Sequence, residues 1–538
     1  MSRREPLVWL TLAVLIGLLV RAVLVIPHDF PLNDGGLFAA MAGDLRASGF
    51  RLPSITSYNA ERIPYGYSPL GLYAVALLAE FTGASAVELL RWVPLVATAL
   101  TVPAFALLAR RLVGEGVELV AAVLAFSLIP RSFTWLLMGG GLTRSLGLLF
   151  TILGLHQGML FFAGGRVRHG VGVAVCAALV ALSHLGTLPF FALSYGLLLL
   201  AYGRTRRAIL GSVLAALGAV LLAGPWWLTV VLQHGIEPFL AAQTTGGSAF
   251  AEPKGRARVL NALARFGLGT TGEPFFPVIL VLAIAGGIAL LPARQLLLSA
   301  WWVLTLLLDQ RAGSTYATLP VAALAGIGAG RVLLPTVSGS RRLRAAAAVA
   351  LVAYGVGAAL VTDPERGGEG RLLTPLPKAQ REALAWIARE TPPTAEFLVV
   401  PDRSWQTDRL AEWFPVLTRR RSVATVQGSE WLAGGEFERR VREYDSLKAC
   451  THGSPLCLER WSSRAGQRFT HIVVPRVEPW PCCKPLIAGL AADRSWTLRY
   501  EGAGARVYER AALTSAGTRA GSAPPRSSGA RRDGRGPE

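Results

Sequence analysis

Three carboxylates fall within the stretch HDFPLNDGGLFAAMAGDL at residues 28–45: Asp29, Asp34 and Asp44. They follow directly on the first long apolar run of the chain. A carboxylate at the edge of a bilayer is partly desolvated, which raises its pKa towards a value useful to a general base. Asp34 precedes Gly35-Gly36 and the run Leu-Phe-Ala-Ala, so the same residue also suits an N-cap. Asp44 reads as the polar edge of the next helix, which carries Leu37, Met41 and Leu45 on one face. His28 and Asp29 read as solvated loop residues, with Asp29 retained as a supporting acid. Cations suited to an anionic group are Arg144, in GGGLTRSLG at 139–147, and Arg311, in DQRAGSTYATLP at 309–320, the latter with Tyr316 beside it. A guanidinium fork matches phosphate, and glycines let a backbone approach one closely. The ordinary alternatives are a flexible glycine loop, a headgroup anchor for Arg311 and an interfacial belt for Tyr316. His184, in ALSHLGTLPF, is either functional or a bundle-facing histidine bonded to a backbone carbonyl.

Such residues need elements to hold them, and composition says what kind. The chain has 538 residues, 52% of them hydrophobic and 16% charged, with a mean hydropathy of +0.43. So much apolar surface requires the bilayer as solvent. The net charge of +20 falls between apolar runs and in the C-terminal tail, without basic, aromatic-interleaved grooves, so nucleic acid is not expected as a partner. Apolar runs near spanning length occur at 7–26, 88–109, 117–136, 145–163, 171–187, 188–203, 209–232, 276–291, 295–308, 317–334 and 345–362. With Arg3 and Arg4 in the cytoplasm ahead of an uncleaved first span, every internal basic cluster falls on the cytoplasmic side: Arg110-Arg111, 166–169, 203–207, 292–294 and 341–344. That agreement requires YSPLGLYAVALLAEFTG, 67–83, to be an interfacial or re-entrant helix inside one external loop, 27–87.

The expected fold class is therefore a polytopic α-helical membrane protein of about 11 transmembrane helices, residues 1–362, with a small extracytoplasmic α/β domain at 363–512 and a disordered tail at 513–538. The domain alternates helices (PKAQREALAWIARETPP, RLAEWFPVLTR, EFERRVREYDSLKAC, PLIAGLAAD) with strands (EFLVVP, RSVATV, THIVVP, WTLRY, ARVYER). Its Cys450, Cys457, Cys482 and Cys483 allow one or two disulfides whose pairing stays open. The aromatics of 402–415 and 428–432 suit core packing before sugar stacking. Trp226-Trp227 and Trp301-Trp302 suit interfacial anchoring, and the loop 233–275 has the length of a lid.

An uncleaved first span, Asp34 heading a surface helix, SPLGLY (68–73) on a second one, a span ending in LARRLVG, and DQRAGSTYATLP late in the chain together resemble the GT-C superfamily of membrane glycosyltransferases. The resemblance is fullest over residues 1–115. It implies a hexosyl- or pentosyltransferase that takes a sugar from a polyprenyl-phosphate donor to an extracytoplasmic glycan, lipid or protein acceptor, among membrane lipids. It also implies Asp34 as the catalytic carboxylate. Arg311, Tyr316 and Arg144 would bind the donor phosphate, and a single displacement would invert the anomeric centre. Many members carry a second acid where this chain has Gly35, which weakens a metal site while leaving room for a divalent metal with unnamed partners. The alternatives are a transporter or lipid flippase, for which repeated halves and paired broken helices are missing, and a non-catalytic scaffold.

Overall fold

The computed structural model describes residues 4–245, 256, 260, 269–309, 312–337, 341–361, 372–476 and 482–511. Each apolar run forms a helix, because a backbone in lipid must satisfy its own hydrogen bonds. Seven helices are long and apolar enough to cross a membrane: Leu7–Val25, Ala86–Val113, Gly141–Gly164, Leu185–Tyr202, Arg206–His234, Gly313–Thr336 and Arg342–Leu360. The pair Val117–Leu128 and Pro130–Leu137, bent by 76°, makes an eighth if counted as one span. Three further expected spans are the shorter helices Val167–Ser183, Val278–Leu290 and Leu297–Leu308. The described residues thus hold seven or eight full-length spans rather than eleven. A 12- or 13-residue helix reaches only about 20 Å against a hydrocarbon core of about 30 Å. The helix Leu70–Thr82, at 13 residues, is likewise too short to span by itself.

Two expectations about surfaces change. The helix Gly36–Ala47 does not lie with one face open. Phe38, Ala39 and Ala42 are buried along with Leu37, Met41 and Leu45, because the helix is packed between Leu70–Thr82 and the C-terminal helix Arg409–Thr418. Trp226, Trp301 and Trp302 are buried in the bundle rather than anchoring it at an interface, and the Trp301 indole donates to the Ser194 hydroxyl at 2.8 Å.

The C-terminal part carries a five-stranded sheet in the order β2-β1-β3-β5-β4, from β1 (Glu396–Val399), β2 (Arg421–Ser422), β3 (His471–Pro475), β4 (Trp496–Glu501) and β5 (Ala505–Arg510). Strand β1 runs parallel to β2 and β3, and β5 runs antiparallel to β3 and β4. Only Arg421–Ser422 of the expected strand RSVATV is extended and paired. Alternation sends Leu398, Val400, Ile472 and Val474 into a core of the unit's own, under Pro455–Ala465 and Lys484–Ala492. Phe397, Val399, Val473 and Val507 face the other way, into a core shared with Leu37, Met41, Leu72 and Val75 of the first loop. Cys450 pairs with Cys457 and Cys482 with Cys483, while Cys176 is free. The tail expected at 513–538 lies outside the described residues.

Candidate active site

A cavity of about 620 Å³ opens between the helical bundle and the C-terminal unit. The first loop lines it with Asp34, Phe38 and Tyr67, and the bundle with Trp135, Arg144 and His184. The C-terminal unit adds Trp405, Glu412, Glu430 and Trp431.

Asp34 sits in a turn that the sequence can make only with particular residues. Asn33 has φ 55° and Gly35 has φ 124°, so left-handed backbone flanks Asp34 on both sides. Asparagine tolerates this region, and glycine enters it without strain. The turn throws the carboxylate sideways onto the N-terminus of the helix Gly141–Gly164. There Oδ1 accepts from the Gly140 amide at 2.8 Å, and Oδ2 stands 3.5 Å from the Arg144 guanidinium. Asp34 therefore caps a spanning helix 106 residues downstream. Its own helix begins at Gly36 without a side-chain cap from position 34; the Gly35 and Gly36 amides donate to Glu412 Oε1 at 2.8 and 3.0 Å. The run Gly139-Gly140-Gly141 is a packed contact, not a loose loop. A Cβ on Gly139 would stand 2.1 Å from the Asp34 carbonyl, and one on Gly140 would stand 2.4 Å from Asp34 Oδ2.

Arg144 lies one turn into the helix, donates to the Gly140 carbonyl at 3.2 Å and stacks at 5.6 Å over Trp135. Asp34 and Arg144 keep 22% and 27% of their side-chain surface exposed, so the pair is open to a ligand. His184 lines the same cavity, with Nδ1 3.0 Å from the Thr187 hydroxyl rather than on a carbonyl. Thr187 in turn meets the Tyr316 hydroxyl at 2.5 Å. Tyr316 is buried and stacked on Phe190 at 4.0 Å, so it backs the wall without lining it. Asp29 is away from the cavity, paired at 2.7 Å with Arg381, which holds its carboxyl below the usual range. Arg311 lies outside the described residues, as do 246–255, 257–259 and 261–268 of the expected lid. The described start of that loop forms the helix Glu237–Thr244, whose Phe239 packs edge-on against Trp226 and Trp431.

Sequence reading missed the acids contributed by the C-terminal unit. Burial and the Asp34 charge push the Glu412 carboxyl up to about 8, against its two backbone amides. Burial also raises Glu430, whose Oε1 accepts from the Tyr67 hydroxyl at 2.5 Å. Glu412 sits in RLAEWFP and Glu430 in GSEWL, where each reads locally as one acid on an aromatic-rich segment. The one available signal was an acid interrupting an apolar helix face. Trp413 is core, as expected, whereas Trp405 and Trp431 reach the cavity.

Among the described residues no group of three or more His, Cys, Asp or Glu could hold a metal ion. Position 35 does not suit a second acid, since its φ of 124° strains any L side chain and a Cβ there would stand 3.1 Å from the Gly139 backbone. The residues present therefore do not fit a metal clasped by two adjacent carboxylates.

No family model matches the sequence, and none of the curated proteins matches it. Several solved structures do. The arabinofuranosyltransferase AftD from mycobacteria superposes with a TM-score of 0.58 at 18% identity, over 95% of this chain and 40% of that one. ArnT from Cupriavidus metallidurans, bound to undecaprenyl phosphate, gives 0.55 at 16% identity, over 93% of this chain and 97% of that one. The oligosaccharyltransferase AglB from Archaeoglobus fulgidus, in complex with an inhibitory peptide and a dolichol-phosphate, gives 0.53 at 12% identity, over 86% and 69%. At such identities the likeness is one of fold. This chain is a multi-pass membrane protein that shares the fold of these three structures.

Proposed function

We propose that the chain is an integral-membrane glycosyltransferase that moves a hexosyl or pentosyl group from a polyprenyl-phosphate donor to an extracytoplasmic acceptor, with inversion. The observation that carries this reading is the Asp34–Arg144 pair, 3.5 Å apart at the mouth of the cavity where a spanning helix begins. Transfer needs an acceptor hydroxyl deprotonated and a departing phosphate neutralised. In the proposed step the acceptor oxygen attacks the anomeric carbon as the bond to the phosphate oxygen breaks. The hydroxyl proton passes to an Asp34 oxygen, and the lipid phosphate leaves with its charge against Arg144. One displacement on one face inverts the anomeric configuration. Arg311 is kept as a second phosphate ligand, on its place in the sequence. His184, with Thr187 and Tyr316 behind it, is assigned to shaping the wall on the donor side.

The sidedness follows from where charge falls. Asp34 meets the first turn of the 24-residue helix Gly141–Gly164, so the basic link that follows, 166–169, lies about 36 Å away at the far end of the bundle. By the positive-inside rule that end is cytoplasmic, which puts the cavity and the C-terminal unit outside, where Cys450–Cys457 can persist. The donor would enter from the surrounding lipids.

Radiolabelled polyprenyl-phosphate sugars presented to reconstituted wild type and Asp34→Asn test the reading. The variant should lose about 100-fold or more of its turnover, in line with removal of a general base. Unchanged turnover would remove Asp34 from the chemistry.

A further inference from the structure

The turn that carries Asp34 is gripped from one side by the C-terminal unit. The Trp413 indole donates to the Asn33 carbonyl at 3.0 Å, and the Asn33 amide donates to the Thr374 carbonyl at 2.9 Å. Beyond Asp34, the Gly35 and Gly36 amides both end on Glu412 Oε1. A Cβ on Gly36 would stand 2.6 Å from the Glu412 carbonyl, which itself accepts from the Tyr58 hydroxyl at 2.7 Å. Every one of these partners comes from residues 374–413, more than 330 positions from the turn in sequence. The bundle, by contrast, reaches the turn through Gly139 and Gly140: the Gly139 amide donates to the Leu32 carbonyl at 2.9 Å, and the Gly140 amide donates to the Asp34 carboxylate.

A backbone with left-handed residues on both sides of one carboxylate has no local ladder to hold it. Its geometry is set by whatever bonds its free amides and carbonyls, and here three of those bonds, from the Gly35 and Gly36 amides and to the Asn33 carbonyl, come from one helix, Arg409–Thr418. We propose that Glu412 is a positioning residue for Asp34, holding through the Gly35 and Gly36 amides the turn that aims the Asp34 carboxylate at Arg144, so that the transfer site exists only with the C-terminal unit docked. This rests on the assignment of Asp34 as the base. The unit is then part of the catalytic machinery and not an appended acceptor-binding module. A carboxylate placed about 1 Å off its line of attack loses one to two orders of magnitude in rate without losing substrate binding.

The test uses the full chain in nanodiscs, with three variants. Glu412→Ala removes the acceptor of both amides. Glu412→Gln keeps a carbonyl oxygen in the same place. Trp413→Phe removes only the indole N–H while keeping a ring packed near Phe30. Hydrogen–deuterium exchange of a peptide covering residues 30–45 reads the turn independently of any activity. Exchange there should rise about tenfold or more in Glu412→Ala, stay near wild type in Glu412→Gln and rise less in Trp413→Phe. Turnover should follow the same order, with kcat down about 10- to 100-fold in Glu412→Ala and donor KM within about threefold of wild type. Unchanged exchange at 30–45 in both Glu412→Ala and Trp413→Phe overturns the proposal whatever the activity. Raised exchange with undiminished kcat in Glu412→Ala, in a protein where Asp34→Asn is inactive, overturns it as well. If Asp34→Asn is itself fully active, raised exchange still supports the clamp on the turn, and the assignment of Asp34 as base is what fails. Should Glu412→Ala not fold, Glu412→Met, which keeps the length of the side chain but offers the two amides no oxygen, carries the same comparison against Glu412→Gln.

Discussion

Asp34 is held by one amide and one guanidinium, and both contacts bear on how it would act. The Gly140 amide fixes Oδ1, while Oδ2 remains beside Arg144 at 3.5 Å, longer than a charge-assisted hydrogen bond. A phosphate arriving at Arg144 would compete for that guanidinium and free Oδ2 for a proton. Arg144→Lys keeps the charge but loses the planar fork and the stacking on Trp135. We expect donor KM to rise about tenfold in Arg144→Lys, the equivalent of about 1.4 kcal/mol, with kcat changed less, as read from initial rates over donor concentration. Gly35→Ala should destabilise the protein by about 1–3 kcal/mol, because φ 124° admits no Cβ cheaply, and a thermal melt would record the loss. At this scale the sequence displayed the types of Asp34, Arg144 and His184 in segments that could reach one rim. It displayed Glu412 only as an acid on an aromatic-rich helix, which ordinarily marks a solvated face, and its partners lie 376 and 377 positions away.

The helix Arg409–Thr418 carries two buried acids one turn apart. Asp408 caps it, accepting from the Ala411 amide at 2.9 Å and the Tyr444 hydroxyl at 2.6 Å, and burial with the nearby Asp402 charge pushes its carboxyl up to about 7. Glu412 is raised as well, by burial first and the Asp34 charge second. An acid whose folded pKa lies above its unfolded value holds its proton more tightly in the folded state. Its stabilising effect is full below the unfolded value and is lost as pH climbs to the folded one. For Asp408 that window runs from about 3.8 to about 7, and for Glu412 from about 4.5 to about 8. The melting temperature of wild type should therefore fall more steeply between pH 5 and pH 8 than that of an Asp408→Asn, Glu412→Gln double variant, in which neither position titrates. Parallel slopes in the two proteins would remove both acids from the balance. Element type was largely legible in the sequence here, since every expected helix and strand of the C-terminal unit occurs in the expected order, although the helix Pro455–Ala465 was not among those expected. Strand lengths and helix surfaces were not. RSVATV turns away after two residues, and the faces of Gly36–Ala47 are covered by elements too distant in sequence for periodicity to reveal.

Across the whole molecule, the run of helices places the first loop and the C-terminal unit at one end of the bundle, with a shared core that joins Val75 and Met41 to Val399 and Val473. The basic links at 110–111, 166–169 and 204–207 belong to the other end, where Arg331 pairs with Glu118 at 2.9 Å. Hydropathy showed this alternation even though it overstated how many helices reach full spanning length, because sidedness depends on the order of turns and not on the length of each pass. The short helices Val278–Leu290 and Leu297–Leu308 can complete a crossing only by drawing on the protein around them, and Leu280, Ala283, Trp301 and Trp302 are accordingly buried against neighbours rather than facing lipid. Orientation is then a single binary quantity for the entire chain. In a Cys176→Ala background, Arg51→Cys marks the end bearing Asp34 and Arg204→Cys marks the opposite end; both positions are exposed. A membrane-impermeant maleimide applied to intact cells should label position 51 at once and position 204 only after permeabilisation. Labelling of 204 from outside would place Asp34, Arg144 and the C-terminal unit in the cytoplasm and remove the route by which an extracytoplasmic acceptor reaches them. Labelling of both positions in intact cells would mean that the helices between them do not alternate, and the common end for the Asp34 turn and its clamp would lose its topological support.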